Sequence, residues 1–161
     1  MSNNTINNNF KKKKDILIAK NKKAFYDYEI LKKYSAGIEL FGTEVRSLRD
    51  RNCQLTDTFV TIRNGEAWLH NLHISHFKFG NINNVDPDRK RRLLLHKKEI
   101  RELRQKTLEK GLSIIPTKIY FKNGVLVKLD ICIAKGKKLH DKRQVLAKKT
   151  QMREAREYLK S

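Results

Sequence analysis

The residues of this chain that could do chemistry are five histidines, two cysteines and seventeen Asp and Glu. Their spacing argues against a catalytic centre. His70, His73 and His76 form an HxxHxxH run in a strand-like region. On a strand, positions i, i+3 and i+6 do not share one face, so the three imidazoles do not converge on a metal. Neither CxxC nor HExxH accompanies them, and they read as polar strand and loop histidines. Cys53 and Cys132 are too far apart for a CxxC pair and too few for a disulfide framework. They read as two reduced thiols, Cys132 within the strand-like run Leu129–Ala134. There is no GxGxxG, no GxxxxGK[ST] and no GxSxG. Nearly every carboxylate has Lys or Arg close by in sequence, the setting of a surface ion partner rather than a general acid. No catalytic residue, metal or cofactor is implied.

Cations dominate instead. Thirty-seven Lys and Arg against seventeen Asp and Glu leave a formal charge of +20 on 161 residues. Such a field works against the compact state, and a polyanionic partner explains it. The cations cluster: Lys20, Lys22 and Lys23 around Asn21; Arg46 and Arg49, one helical turn apart; Arg89 to Arg92; and Lys135, Lys137, Lys138, Lys142 and Arg143. Any one cluster is an ordinary solvated face. Four on so basic a chain point to nucleic acid. A membrane surface is the competing polyanion, but no long apolar span, signal peptide or lipidation signature supports it. A soluble cytoplasmic protein is expected. RNA fits better than duplex DNA, because there is no recognition-helix pair, zinc-finger spacing or basic zipper.

The elements that must position these cations are mostly strands. Residues 1–14, rich in Asn and Lys, are expected to be disordered. Ala24–Leu31 and Gly37–Phe41 read as strands. Gly42 and Thr43 read as a break and an N-cap, with Glu44 in the first turn of the helix that follows. Thr58–Ile62 and Glu66–His70 form a hairpin through Asn64-Gly65, the preferred pair of a type I′ turn. Leu72–Phe79 adds a short strand, residues 81–88 a loop and Leu93–Leu95 another strand. Ile100, Leu103 and Thr107 predict a helix over 97–110, stopped by Gly111. Alternation over Ser113–Phe121 and Val125–Ile133 predicts a closing hairpin around Asn123-Gly124. Tyr26, Tyr28 and Tyr34 suit base stacking and core packing equally. The fold class is therefore mainly β: a small antiparallel OB-like barrel over 15–134 with about three short helices. A basic tail over 135–161, with Val145, Met152 and Leu159 as one thin apolar stripe, is expected to be disordered when free and partly helical when bound.

Four ordered blocks resemble the small protein B (SsrA-binding protein) family: AKNKKAFYDY at 19–28, GIELFGTEVRSL at 37–48, DPDRKRRLLLHKKEI at 86–100 and AKGKKLHDKR at 134–143. Three positions depart from the family pattern. Arg51 stands where the family usually has Gly, and Thr58-Phe59 replaces the common Ser-Tyr. The resemblance implies an OB-like barrel that binds the tRNA-like domain of tmRNA. With elongation factor Tu, the complex would then enter ribosomes stalled on truncated messages. It also implies RNA contacts from Asn21, Lys22, Lys23, Glu44, Arg46, Ser47, Arg49, Arg89, Arg91 and Arg92. Gly136, Lys137, Lys138, His140, Asp141, Lys142 and Arg143 would take the empty decoding site, with the tail in the vacant mRNA channel. A monomer is expected. A general RNA-binding or ribosomal protein is the alternative, and an RNA-cleaving enzyme a weaker third.

Overall fold

A computed structural model of the chain describes residues 13–80, 82, 84–137 and 139–160. The elements in the first half are β1 (Ile16–Lys20), α1 (Lys22–Asp27), β2 (Tyr28–Ile38), α2 (Gly42–Arg49), β3 (Cys53–Gln54), β4 (Phe59–Arg63) and β5 (Glu66–His70). They are followed by β6 (His73–Ile74), β7 (Arg91–Leu94), α3 (Lys97–Thr107), β8 (Leu112–Lys122), β9 (Leu126–Gly136) and α4 (Leu139–Lys160). Residues 1–12 of the expected disordered start, and Lys138 of the tail, lie outside the described residues.

The fold is mainly β and roughly OB-like. Strands β8, β4, β5, β7, β2 and β9 follow one another antiparallel, and β9 returns to β8 to close a ring. β1 is added on β8. Leu48, Leu69, Leu72, Leu103, Ile119, Leu129 and Ile131 are fully buried inside it. Among the described residues, no helix is long and apolar enough to cross a membrane.

Both predicted hairpins form. In the first, Arg63 pairs with Glu66 across Asn64-Gly65, whose φ values of 52° and 73° are those a type I′ turn requires. In the second, Asn123 and Gly124 take φ 54° and 73°, and Val125 joins the turn, so the strand resumes at Leu126.

Four expectations are corrected. Of the expected strand Ala24–Leu31, only Tyr28–Leu31 is strand, and Ala24–Asp27 belongs to the helix α1. Asn21 caps it by accepting from the Ala24 N–H at 3.2 Å. The helix lays Ala24 on the outer face of β8 and β9, against Ile115, Cys132 and Ala134. That packing overrides the strand preference of Phe25 and Tyr26. Next, the strand begun at Tyr28 runs to Ile38, absorbing the start of the second predicted strand, because β9 pairs with it from Tyr28 to Gly37, with one register shift between Ile30 and Lys32, and β7 takes Ile38. The N-cap of α2 is Phe41, one residue before the expected break. Finally, Leu72–Phe79 keeps strand geometry only at His73–Ile74, where β3 supplies a partner. At its far end, β9 extends through Gly136, which pairs with Tyr28.

Candidate nucleic-acid interface

α2 is the platform for the second basic cluster. Glu44 occupies its third position and accepts from the Phe41 N–H at 3.0 Å, the carboxylate half of a capping box. The same Oε1 accepts from Arg89 Nε at 3.1 Å and from Arg89 Nη2, while Oε2 accepts from Arg91 Nε at 2.6 Å. Glu44 is 4% exposed and Arg91 0%. Burial alone would raise the Glu44 carboxyl. The donors from Arg89, the Phe41 N–H and Arg91 outweigh it and hold the group below its ordinary value. Arg91 spends its other donors on the carbonyls of Leu72, Arg89 and Pro87 at 2.5, 3.1 and 3.0 Å. Two arginines from one strand approach are thereby fastened to one helix start.

The cations that reach solvent surround this buried knot. Arg46 and Arg49 project from α2, as their spacing requires. Arg46 lies 5.6 Å from the Phe77 ring, and Arg49 lies 3.9 Å from the Phe121 ring while donating to Gly124 O at 2.8 Å. Arg89, about a quarter exposed, lies 4.7 Å from the exposed Phe41 ring. Ser47 is buried and donates to Ser75 O at 2.6 Å, tying α2 to the segment after β6. Arg92 bridges Glu39 and, at 3.1 Å, Glu66.

The first basic cluster stands on α1. Asn21 is buried: its N–H and side-chain amide donate to Thr117 O at 2.8 Å and Pro116 O at 3.2 Å. β8 is bulged here, between Pro116 and Lys118, which frees both carbonyls. Asn21 fills the gap and caps α1 together. Lys22 and Lys23 are exposed, and Lys23 lies 3.5 Å from Asp57. The tail begins on the same helix. Lys137 donates from its N–H to Asp27 O at 2.9 Å and from Nζ to Phe25 O at 3.2 Å. His140, Asp141, Lys142 and Arg143 lie on the backbone of α4.

The structure thus brings Glu44, Arg46, Ser47, Arg49, Arg89 and Arg91 together, with Asn21, Lys22 and Lys23 grouped separately on α1. It also supplies rings that sequence reading missed: Phe41, Phe77 and Phe121 under the three arginines. No sequence signal marks them, because each partner is distant along the chain. Tyr34 is 8% exposed and belongs to the core.

The candidate chemical groups disperse. His70 bonds Thr61 Oγ1 at 2.7 Å and stacks on Phe59, His73 bonds Asp88 Oδ1 at 2.8 Å, and His76 donates from Nε2 to Val85 O at 2.9 Å. Among the described residues no three His, Cys, Asp or Glu are grouped to hold a metal. Burial pushes the Cys53 and Cys132 thiols each up to about 11, so neither is a thiolate near neutral pH.

Ring and rim define a small, strongly basic, OB-like β protein whose exposed arginines are steadied by aromatic rings. Comparison with known proteins sharpens this. The model of the SmpB protein family matches residues 18–161, and the chain belongs to that family. The SsrA-binding protein of Thermosipho melanesiensis is 58% identical over 144 residues, 89% of this chain and 98% of the relative. That of Geobacter sulfurreducens is 55% identical, over 89% and 94%. That of Lacticaseibacillus casei is 51% identical over 151 residues, 94% and 96%. Among solved structures, a chain described under "tmRNA-SmpB: a journey to the center of the bacterial ribosome" is similar with a TM-score of 0.66 and 44% identity. It covers 80% of this chain and 93% of that one.

Proposed function

We propose that this chain binds the tRNA-like domain of tmRNA and, with elongation factor Tu, carries it to ribosomes stalled on truncated messages. The near end-to-end likeness to SsrA-binding proteins carries this reading. The geometry supports it physically. Lys22, Lys23, Arg46, Arg49 and Arg89 supply phosphate contacts, and the rings beneath the arginines hold guanidinium planes ready for bases. Asn21, Glu44, Ser47 and Arg91 act from beneath, fixing α1, α2 and the strand approach that carry those cations, while Arg92 spans Glu39 and Glu66 nearer the surface. An RNA base that bonded Glu44 directly would have to displace Arg89.

The tail acts second. Gly136 and Lys137 root it beside α1. Lys138, His140, Asp141, Lys142 and Arg143 occupy the empty decoding site, and the rest of α4 follows the vacant mRNA channel. A channel filled with message excludes it sterically, which makes the tail a test for stalling. The chain supplies binding and placement, and no bond is made or broken by it. It acts as a monomer in the cytoplasm.

The test is binding to the tRNA-like domain of tmRNA and to an unrelated RNA of similar size, across salt. Five neutralised phosphates give a log–log slope of roughly −4 to −5. A preference for tmRNA that survives at high salt is the expected result. Equal binding and equal salt loss for both RNAs would leave only a general basic RNA binder. For the tail, protein ending at Lys135 should bind the RNA yet fail to support peptide tagging on stalled ribosomes. Tagging by the truncated protein would remove the tail from the mechanism.

A further inference from the structure

Phe79 is 75% exposed, more than Phe25, Phe41 or Phe59. It nonetheless sits on a segment that is held. Asn84 clamps Phe77 from both sides, its Oδ1 accepting from the Phe77 N–H at 3.0 Å and its Nδ2 donating to Phe77 O at 2.9 Å. The Gly80 N–H turns back to the same carbonyl at 2.9 Å. A Cβ at Gly80 would come within 2.6 Å of Asn84 Oδ1, so the clamp and any other residue at 80 are incompatible. The segment is also tied to α2, by Ser47 to Ser75 O and by Arg46 over Phe77. Phe77 and Phe79 meet edge to face, 5.7 Å between centroids, and Lys78 Nζ lies 5.7 Å from the Phe79 ring.

The Phe79 ring keeps most of its surface in solvent, beside Phe77 and Lys78, on a segment whose backbone is held. The chemistry of the partner follows from what surrounds the ring. Rings interleaved with cations match a single-stranded nucleic acid, which offers π faces between phosphates. We propose that Phe79 is a stacking platform for an unpaired nucleobase of the RNA held by α2, with Arg46 and Lys78 at the flanking phosphates. This rests on the RNA-binding function proposed above and adds to it a base contact made by an aromatic ring.

The experiment measures binding of Phe79→Ala, Phe79→Trp and Lys78→Ala proteins to the tRNA-like domain of tmRNA and to an unrelated RNA, across salt. Phe79→Ala is expected to weaken binding about tenfold, or about 1.4 kcal/mol, by the same factor at every salt concentration. Stacking releases no counterion, so the slope stays unchanged. Phe79→Trp should restore affinity, and Lys78→Ala should instead reduce the slope by about one. All three should melt like the unmodified protein, since the side chains are exposed. Phe79→Ala protein that binds both RNAs at the unmodified affinity would overturn the platform, and would leave the ring to a protein partner. If unmodified protein showed no preference between the RNAs, the tmRNA reading would fall. The Phe79→Ala comparison, made on both, would still decide the platform.

Discussion

Arg91 Nε meets Glu44 Oε2 at 2.6 Å in the interior, where neither side chain keeps more than 4% of its surface in solvent. The family resemblance implied an RNA contact from each residue separately. The pair joins the start of α2 to the strand β7.

Removing the acid from this joint should be severe. Glu44→Ala strands Arg91 in the interior and frees Arg89, and a broken buried pair costs about 3–5 kcal/mol. Arg91→Met should cost less, because Arg89 still neutralises Glu44, though the carbonyls of Leu72 and Pro87 lose their donor. Urea unfolding of both variants tests the order. Equal and small losses would mean the joint is not structural.

The same carboxylate makes stability depend on pH. Its folded pKa is held below its ordinary value of 4.5. Between the two values the unfolded chain therefore binds more protons than the native one. The contribution is complete above the unfolded value and is lost as pH falls through the folded one. The urea midpoint should fall on acidification below about pH 4.5, and the fall should be shallower in Glu44→Gln. Parallel curves for the two proteins would assign the acid sensitivity elsewhere.

Arg51 carries a backbone cost. The Asn52 N–H bonds Ser47 O at 3.2 Å and the Arg51 N–H bonds Leu48 O at 3.0 Å, the two bonds of a Schellman motif ending α2. Arg51 takes the left-handed position with φ 57°. The loop thus keeps a glycine's geometry, and the larger residue bears the strain. Among the described residues the other non-glycines with positive φ are Asn or Asp. Arg51→Gly should stabilise by about 0.5–1 kcal/mol, after allowing for the added freedom of the unfolded glycine. Thermal unfolding should shift upward by about 1–4 °C; a downward shift would show that the arginine side chain contributes more than its backbone costs.

Asn21 joins two jobs that a single atom change separates. Asn21→Asp keeps an acceptor for the Ala24 N–H but sets a carboxylate oxygen against Pro116 O, where Asn21 donates at 3.2 Å. Asn21→Ala loses both bonds, and loss of a cap costs about 1 kcal/mol. If the donor to the bulge dominates, Asn21→Asp will be at least as unstable as Asn21→Ala. If capping dominates, Asn21→Asp will be close to the unmodified protein.

Local patterns were legible wherever the physics is local. Asn64-Gly65 and Asn123-Gly124 announced their turns because positive φ is a property of those residues themselves. The alternation over Val125–Ile133 announced β9, though Val125 went to the turn, and Ile100, Leu103 and Thr107 announced α3, of which Leu103 is buried. Lys22–Asp27 misled, because a six-residue helix has little propensity of its own. It exists through its own N-cap Asn21, which needs the β8 bulge, and through the apolar patch of Ile115, Cys132 and Ala134, far along the chain.

The candidate site divides in the same way. Composition and spacing determined that the chain seeks a polyanion and that Arg46 and Arg49 share a helix face, and resemblance to a known family added four ordered blocks. Burial was decided only by the tertiary structure, because it depends on partners tens of residues away. Glu44 and Arg91 are separated by 47 positions. Nothing in either segment says that one guanidinium will be sealed inside while its neighbour Arg89 keeps an edge in water. Charge is written in the sequence, and its accessibility is set by what packs above it.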